Sequence, residues 1–265
     1  MTQTSTYNIL YSCVDERMRS NEQFVPEHAF GIILAGEAHF HSPHGTEIYK
    51  EGTMGFIRRN QLLKTIKVPP AEGAFKSINV VFDQDFLRRY AAQNGIEAKG
   101  RFLGEGRMEM KPNPFLKGYF DSLVPYFDHP EQINVSMAKL KIEEALELLL
   151  KTHPHTKEIL FDFSEPFKID IDAFMNQHYT YNVSLAQFAK LTGRSLATFK
   201  RDFQKIFASP PEKWLQHKRL EHAHFLISQR GQAPSEASLE VGFANLSHFS
   251  YAFKNFFGYN PSSLR

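Results

Sequence analysis

From Ala29 to about Phe82 the chain reads as short apolar runs cut by turn residues, the pattern of strands. The segment FGIILAGEAHFH leads into the Pro/Gly turn SPHG and then TEIYK, which predicts a hairpin. TMGFIRR, LLKTIKV and AFKSINVVF follow, divided by Arg59-Asn60-Gln61 and by Pro69-Pro70-Ala71-Glu72-Gly73. Strands at this spacing predict a small barrel or sandwich. The pattern then turns helical. Asn113-Pro114 is a cap-plus-proline start, predicting a helix through Tyr126 with Leu116, Phe120 and Leu123 on one side. Pro130 precedes a second helix to about Lys151, along which Val135, Ala138, Ile142, Ala145 and Leu149 alternate by three and four. That stripe suits either a helix packed on its own barrel or a homodimer through helix 131–151. His153-Pro154-His155-Thr156 ends it, and Ser164-Glu165-Pro166 marks a linker. The expected domains are therefore 1–165 and 166–265.

The last hundred residues are helical by pattern and contain a repeat offset by fifty positions. Phe199, Phe203, Phe207 and Pro211 recur as Phe249, Phe253, Phe257 and Pro261. Each set is the i, i+4, i+8 stripe of a buried helix face. Before each stripe lies a short helix, with Ala189 and Leu191, or Leu239 and Val241, on its apolar side. Gly193-Arg194 and Gly242-Phe243 supply the turns. Ser184 with Gln187 and Ser209 with Glu212 read as capping boxes, and Asn260-Pro261 repeats the cap-and-proline device.

A helix, a tight turn with glycine and a second helix with an aromatic inner face make a helix-turn-helix, here twice. The outward residues of the first are Ala197, Thr198, Lys200, Arg201, Gln204 and Lys205. Those of the second are Ser247, His248, Ser250, Tyr251 and Lys254. Such a helix fits the DNA major groove, with side chains near its start reaching base edges.

Charge supports the same direction. The whole chain has a net charge of +2, but the part after Glu165 is basic and the part before it slightly acidic, as expected when only one half meets nucleic acid. Hydrophobic residues are 42% and charged residues 23%, which excludes a disordered chain. No apolar run approaches a membrane span, and the N-terminus lacks signal-peptide regions. One cysteine, Cys13, excludes an intramolecular disulfide and a cysteine-based zinc site. A reducing, cytoplasmic setting is expected.

KRLEHAHFLI (Lys218 to Ile227) followed by EVGFANLSHFSYAFKNFFGYNPSSLR (Glu240 to Arg265) resembles the AraC/XylS-type transcription regulators. Their signature is met by Arg219, Leu220, Ala223, Gly242-Phe243, Ser247, Phe249, Phe253-Lys254, Gly258, Pro261 and Arg265. The resemblance covers roughly Tyr181 to Arg265. It implies two helix-turn-helix units joined by a long helix, Pro211 to Ser228, entering successive major-groove segments on one face of DNA. It also implies an activator working with RNA polymerase, and an N-terminal cupin-like barrel with following helices for effector sensing and oligomerisation. The effector implied is a small molecule or a protein. The fold class is thus α+β, a small N-terminal barrel before an all-α domain. Three departures carry expectations. Ala237-Ser238 replaces Ile-Ala and should loosen packing. Tyr251 replaces a polar or basic residue. Ala208 stands where Gly258 stands in the second unit, so that turn should avoid positive φ.

The rival reading is a metal-dependent cupin enzyme. His39 and His41 share one side of a strand, with Glu47 and Gly52 behind them. A catalytic site needs a third ligand and an open position, yet after His44 the next histidine is His129. No G-x-S-x-G, Walker loop or dinucleotide fingerprint appears, so neither a cofactor nor enzyme activity is expected. A third reading, an interaction protein whose units no longer bind DNA, is opposed by Lys200, Arg201, Lys205 and Lys254.

Overall fold

A computed structural model describes residues 2–19, 23–42, 45–97 and 100–264. Pro43 and His44 of the predicted hairpin turn, and Arg265 of the signature, lie outside the described residues. The chain forms two compact units, Met1–Ser164 and Glu165–Arg265.

The strands of the first unit are β1 (Thr2–Thr6), β2 (Ile9–Val14), β3 (Met18–Arg19), β4 (Phe24–Val25), β5 (His28–Ala35) and β6 (Glu37–Ser42). They continue as β7 (Gly45–Lys50), β8 (Met54–Ile57), β9 (Gln61–Leu62), β10 (Lys64–Val68), β11 (Phe75–Phe82) and β12 (Arg107–Met110). Among the described residues one antiparallel sheet runs β1-β2-β11-β5-β8-β12 and a second runs β3-β10-β6-β7. Helices α1 (Gln84–Gln93), α2 (Pro114–Leu123), α3 (Pro125–Asp128), α4 (Val135–Thr152) and α5 (Thr156–Leu160) complete the unit.

Because side chains alternate along a strand, the first sheet has two different faces. One carries Tyr11, Phe30, Phe56, Ile78, Val80 and Phe82, which form a continuous core with Leu116, Phe120, Ala138, Ile142, Ala145 and Leu149 from α2 and α4. The three-and-four stripe of α4 is therefore consumed inside its own unit. Val135, at its start, is 48% exposed. The helix predicted through Tyr126 stops at Leu123, because Pro125 has no amide hydrogen to donate and opens α3 as its first residue. Pro130 starts a short 3-10 turn, and Asn134, accepting from the Met137 amide, caps α4.

Two buried polar groups organise the exit from this unit. Arg58 donates to Asp162 Oδ2 at 2.7 Å, and the amides of Phe102 and Ser164 donate to the same carboxylate at 3.0 Å. Burial works against that carboxylate. The Ser164 hydroxyl, these amides and Arg58 outweigh it and hold Asp162 below the usual carboxylate range. Arg59 donates to the carbonyls of Asp162 and Ser164, at 3.3 and 2.6 Å. The Arg59 amide donates to His28 Nδ1 at 3.3 Å, and His28 stacks on Phe56.

Burial, with Arg59 and Arg58 nearby, pushes His28 down to about 3. The folded chain thus refuses a proton that the unfolded chain accepts below its ordinary value near 6.5. Stability should be complete above that pH and fall as pH drops from there towards 3, by about 2 kcal/mol at pH 5. Urea unfolding of wild type and His28→Gln across this window checks it. The wild type should show the steeper decline, and parallel curves would assign the effect elsewhere.

The second unit contains α6 (Ile171–His178), α7 (Leu185–Leu191), α8 (Leu196–Phe207), α9 (Pro211–Arg230), α10 (Pro234–Glu240), α11 (Leu246–Phe257) and a final 3-10 turn, Pro261–Leu264. The Ser184–Gln187 capping box forms. The expected Ser209–Glu212 box does not: Pro210 is the cap residue, and Glu212 bonds Lys200 instead. Leu239 is 48% exposed, while Ala237 and Ser238 of α10 and Val241, its C-cap, are buried. The Ala237-Ser238 pair is fully buried, and the Ser238 hydroxyl donates to Ser235 O at 2.8 Å.

Ala208 overturns another expectation. It ends α8 in the left-handed region, φ 50°, just as Gly258 ends α11 at φ 85°. The chain must reverse within three residues to begin α9 at Pro211, and that closure overrides the alanine preference. A left-handed residue with a Cβ is strained by about 1–2 kcal/mol. Ala208→Gly should therefore stabilise the unit by about 0.5–1 kcal/mol, after the entropy glycine adds to the unfolded chain. Thermal unfolding, with Gly258→Ala as the inverse control, measures it.

Candidate nucleic-acid interface

Helices α8 and α11 are each held from beneath by rings. Phe199, Phe203 and Phe207 stack along α8 with centroid separations of 5.5 and 4.3 Å. Phe249, Phe253 and Phe257 do the same along α11 at 5.5 and 4.6 Å. Trp214 closes the first set against Phe203 and Phe207. His224 and Tyr259 close the second. The helix starts match too: Ser195 Oγ accepts from the Thr198 amide, and Asn245 Oδ1 from the His248 amide.

The turns need glycine for packing as well as for φ. A Cβ on Gly193 (φ +66°) would lie 2.2 Å from the Phe167 backbone, and one on Gly242 (φ +97°) 2.6 Å from Thr180 O. Arg219 ties the units together. Its guanidinium donates to Tyr179 O, Tyr181 O and Gly242 O at 2.8, 2.7 and 3.2 Å. Burial lowers its pKa only to about 10, so the charge persists at neutral pH.

Above this frame, Ala197, Lys200, Arg201, Gln204 and Lys205 are exposed on α8, and Thr198 is half-buried under a hydrogen bond with Ser195. On α11, Ser247, His248, Tyr251 and Lys254 are exposed and Ser250 is half-buried. Helical spacing places Ala197, Arg201, Gln204 and Lys205 opposite the phenylalanines, with Ser247, Tyr251 and Lys254 in the corresponding places. Lys200 sits to the side, paired with Glu212 at 2.6 Å. That hydrogen bond holds Glu212 below the usual carboxylate range. Arg201 is 65% exposed at its side chain, with its Nε 3.6 Å from Asp202. Asp202 itself is held by Arg194 at 3.1 Å. Asn255, not among the residues singled out from the sequence, is exposed on α11 at the position that repeats Lys205. The fifty-residue offset alone would have found it.

His39 and His41 lie on β6 pointing away from the barrel interior, which Ala38 and Phe40 face. His39 Nε2 lies 2.8 Å from Glu37 Oε2, and His41 Nδ1 lies 2.8 Å from the Thr46 hydroxyl. Among the described residues no three His, Cys, Asp or Glu side chains converge as metal ligands. No helix among them is long and apolar enough to cross a membrane.

Two helix-turn-helix units on one aromatic frame, each with an exposed polar helix, define a DNA-binding protein of the double helix-turn-helix class. Comparison with known proteins agrees: a helix-turn-helix domain model matches residues 188–265, and the ExsA N-terminal regulatory domain model matches residues 28–163, more than half of the chain. The chain belongs to the AraC-type transcription regulators, in the group with an ExsA-type N-terminal domain. It is 25% identical over 238 residues to the HTH-type transcriptional regulator ExsA of Pseudomonas aeruginosa, covering 88% of this chain and 84% of that one. It is 24% identical over 237 residues to the thermoregulatory protein LcrF of Yersinia pestis, covering 88% and 87%. Among solved structures, apo ToxT of Vibrio cholerae aligns over 99% of this chain and 98% of its own, with TM-score 0.49 and 12% identity.

Proposed function

We propose that this regulator is a cytoplasmic activator that reads DNA with α8 and α11 and works with RNA polymerase. Its N-terminal unit responds to a small-molecule or protein effector. Ala197, Thr198, Arg201, Gln204 and Lys205 on α8, with Ser247, His248, Ser250, Tyr251 and Lys254 on α11, form the reading surface. Lys200 contributes at its edge, where Glu212 already engages it. The observation that carries this reading is the duplicated exposed face over an identical aromatic frame. Two such faces in one compact unit suit two successive grooves. A homodimer through helix 131–151 would use the side of α4 bearing Met137 and Leu140, 37% and 61% exposed, because the opposite side is core.

Genome-wide footprinting supplies the operator, and a salt-titrated shift assay on it tests the assignment. Binding should weaken steeply with salt, as released counterions require. Lys205→Ala or Lys254→Ala should lower affinity for all sequences alike and reduce the salt slope by about one unit each. A changed base preference in either variant would overturn their role as phosphate contacts.

A further inference from the structure

In the first helix-turn-helix unit, one side chain joins α8 to the segment by which the chain enters the C-terminal domain. The backbone of Phe167 crosses the α7–α8 turn so closely that no Cβ fits on Gly193. Arg194, the next residue, is 11% exposed at its side chain. One of its terminal nitrogens donates to two carbonyls, Ile169 O of the entering segment at 2.9 Å and Thr192 O of the turn at 2.6 Å. Its Nε donates to Asp202 Oδ2 at 3.1 Å, on the flank of α8. The other oxygen of that carboxylate, Oδ1, lies 3.6 Å from Arg201 Nε. The hydrogen bond from Arg194, with the charges of Arg201 and Lys168 close by, holds Asp202 below the usual carboxylate range. A line of contacts thus runs from Ile169 through Arg194 and Asp202 to Arg201. By the fifty-residue offset, Ala244 and Ala252 stand at the places of Arg194 and Asp202 in the second unit, which therefore cannot repeat it.

We infer that Arg194 and Asp202 are positioning residues for base recognition: they fix the Arg201 side chain against α8 and tie its direction to the entering segment. Successive residues on a helix point about 100° apart, so Arg201 meets Asp202 only by leaning round the helix. An exposed ion pair of this kind contributes little to stability. Its effect is on order, because an arginine already held loses less rotamer freedom when it docks. Contact through Nε leaves the two terminal nitrogens for the fork that matches guanine O6 and N7. A lone aspartate at this place would repel DNA phosphates. Arg194 neutralises it, so the carboxylate can orient Arg201 without that cost. The inference rests on the reading of Arg201 as a base contact and adds what aims it.

The first measurement uses the full chain without DNA, so it stands whether or not Arg201 reads a base. Nitrogen relaxation of the arginine Nε–H groups should show Arg201 ordered on the picosecond-to-nanosecond scale. It should be freed in Asp202→Ala and, one contact further away, in Arg194→Met. The second measurement is base preference on the operator. Both variants should lose about three- to tenfold in discrimination at the base pair that Arg201→Ala flattens, with the positions read by α11 untouched. Joint replacement should cost no more discrimination than Asp202→Ala alone, since both residues act through one carboxylate. Should Arg194→Met fail to fold, Arg194→Lys keeps the charge without the fork and should shift both readouts in the same direction. An Arg201 equally mobile in wild type and Asp202→Ala would overturn the inference. So would a loss of affinity spread evenly over all positions, which is what a merely structural role produces. A base preference unchanged in Arg201→Ala would count against the proposed function, and the relaxation data would still judge the line of contacts.

Discussion

Asp162→Ala will unfold the N-terminal unit far more readily than any surface change, at a loss of about 3–5 kcal/mol. The carboxylate is 1% exposed and accepts from Arg58, from two backbone amides and from the Ser164 hydroxyl. Its removal strands a largely buried guanidinium and the Phe102 amide without an acceptor. A broken buried pair is expensive because the surviving charge keeps its desolvation penalty. Urea unfolding of the full chain should show the transition of residues 1–164 moving to lower denaturant while that of residues 165–265 stays in place. Asp162→Asn, which keeps an acceptor and loses the charge, should fall between. Wild-type stability in Asp162→Ala would mean that water replaces the carboxylate in full.

Arg201→Ala is the largest expected effect on recognition. Arg201 stands near the start of α8, exposed and on the side opposite the phenylalanines. Lys200, its neighbour, is already engaged by Glu212. Arginine can pair bidentately with guanine O6 and N7, a contact that discriminates by about 1–3 kcal/mol. The matching places on α11 hold Ser247, His248 and Tyr251, shorter or uncharged groups better suited to backbone and shape contacts. A base-preference profile of Arg201→Ala should flatten at one position, and more so than in His248→Ala or Tyr251→Ala, with circular dichroism unchanged in all three. A uniform loss of affinity with the profile intact would reassign Arg201 to a phosphate. A profile collapsed by His248→Ala alone would reverse the ranking of the two helices.

Much of this architecture is legible in the residues, and the failures have physical causes. The strands between Ala29 and Phe82 announce themselves because Gly, Pro and Asn separate them. β2, ILYSCV, does not, since both of its faces are buried and its apolar residues lack simple alternation. β12 is a short sheet edge with a mixed pattern. The stripe of α4 is visible, but the partner that buries it is not, because a barrel and a second helix ask for the same spacing. Leu239 looked inward by hydrophobicity alone, whereas the small residues beside it sit closest to the frame. The exposed faces of α8 and α11 were legible because the repeat gave two independent views of one face.

The three hydrogen bonds of Arg219 have a consequence for the operator. One guanidinium holds carbonyls on either side of the bend that precedes α7 and the carbonyl of the second turn. On the proposed function, these bonds favour a fixed spacing between the two helix-turn-helix units. DNA turns once in about 10–10.5 base pairs, so one inserted pair rotates one contacted segment against the other by about a tenth of a turn. If α8 and α11 read DNA as proposed, a spacing pinned at Arg219 resists that rotation, so one inserted base pair should weaken binding more than one changed letter.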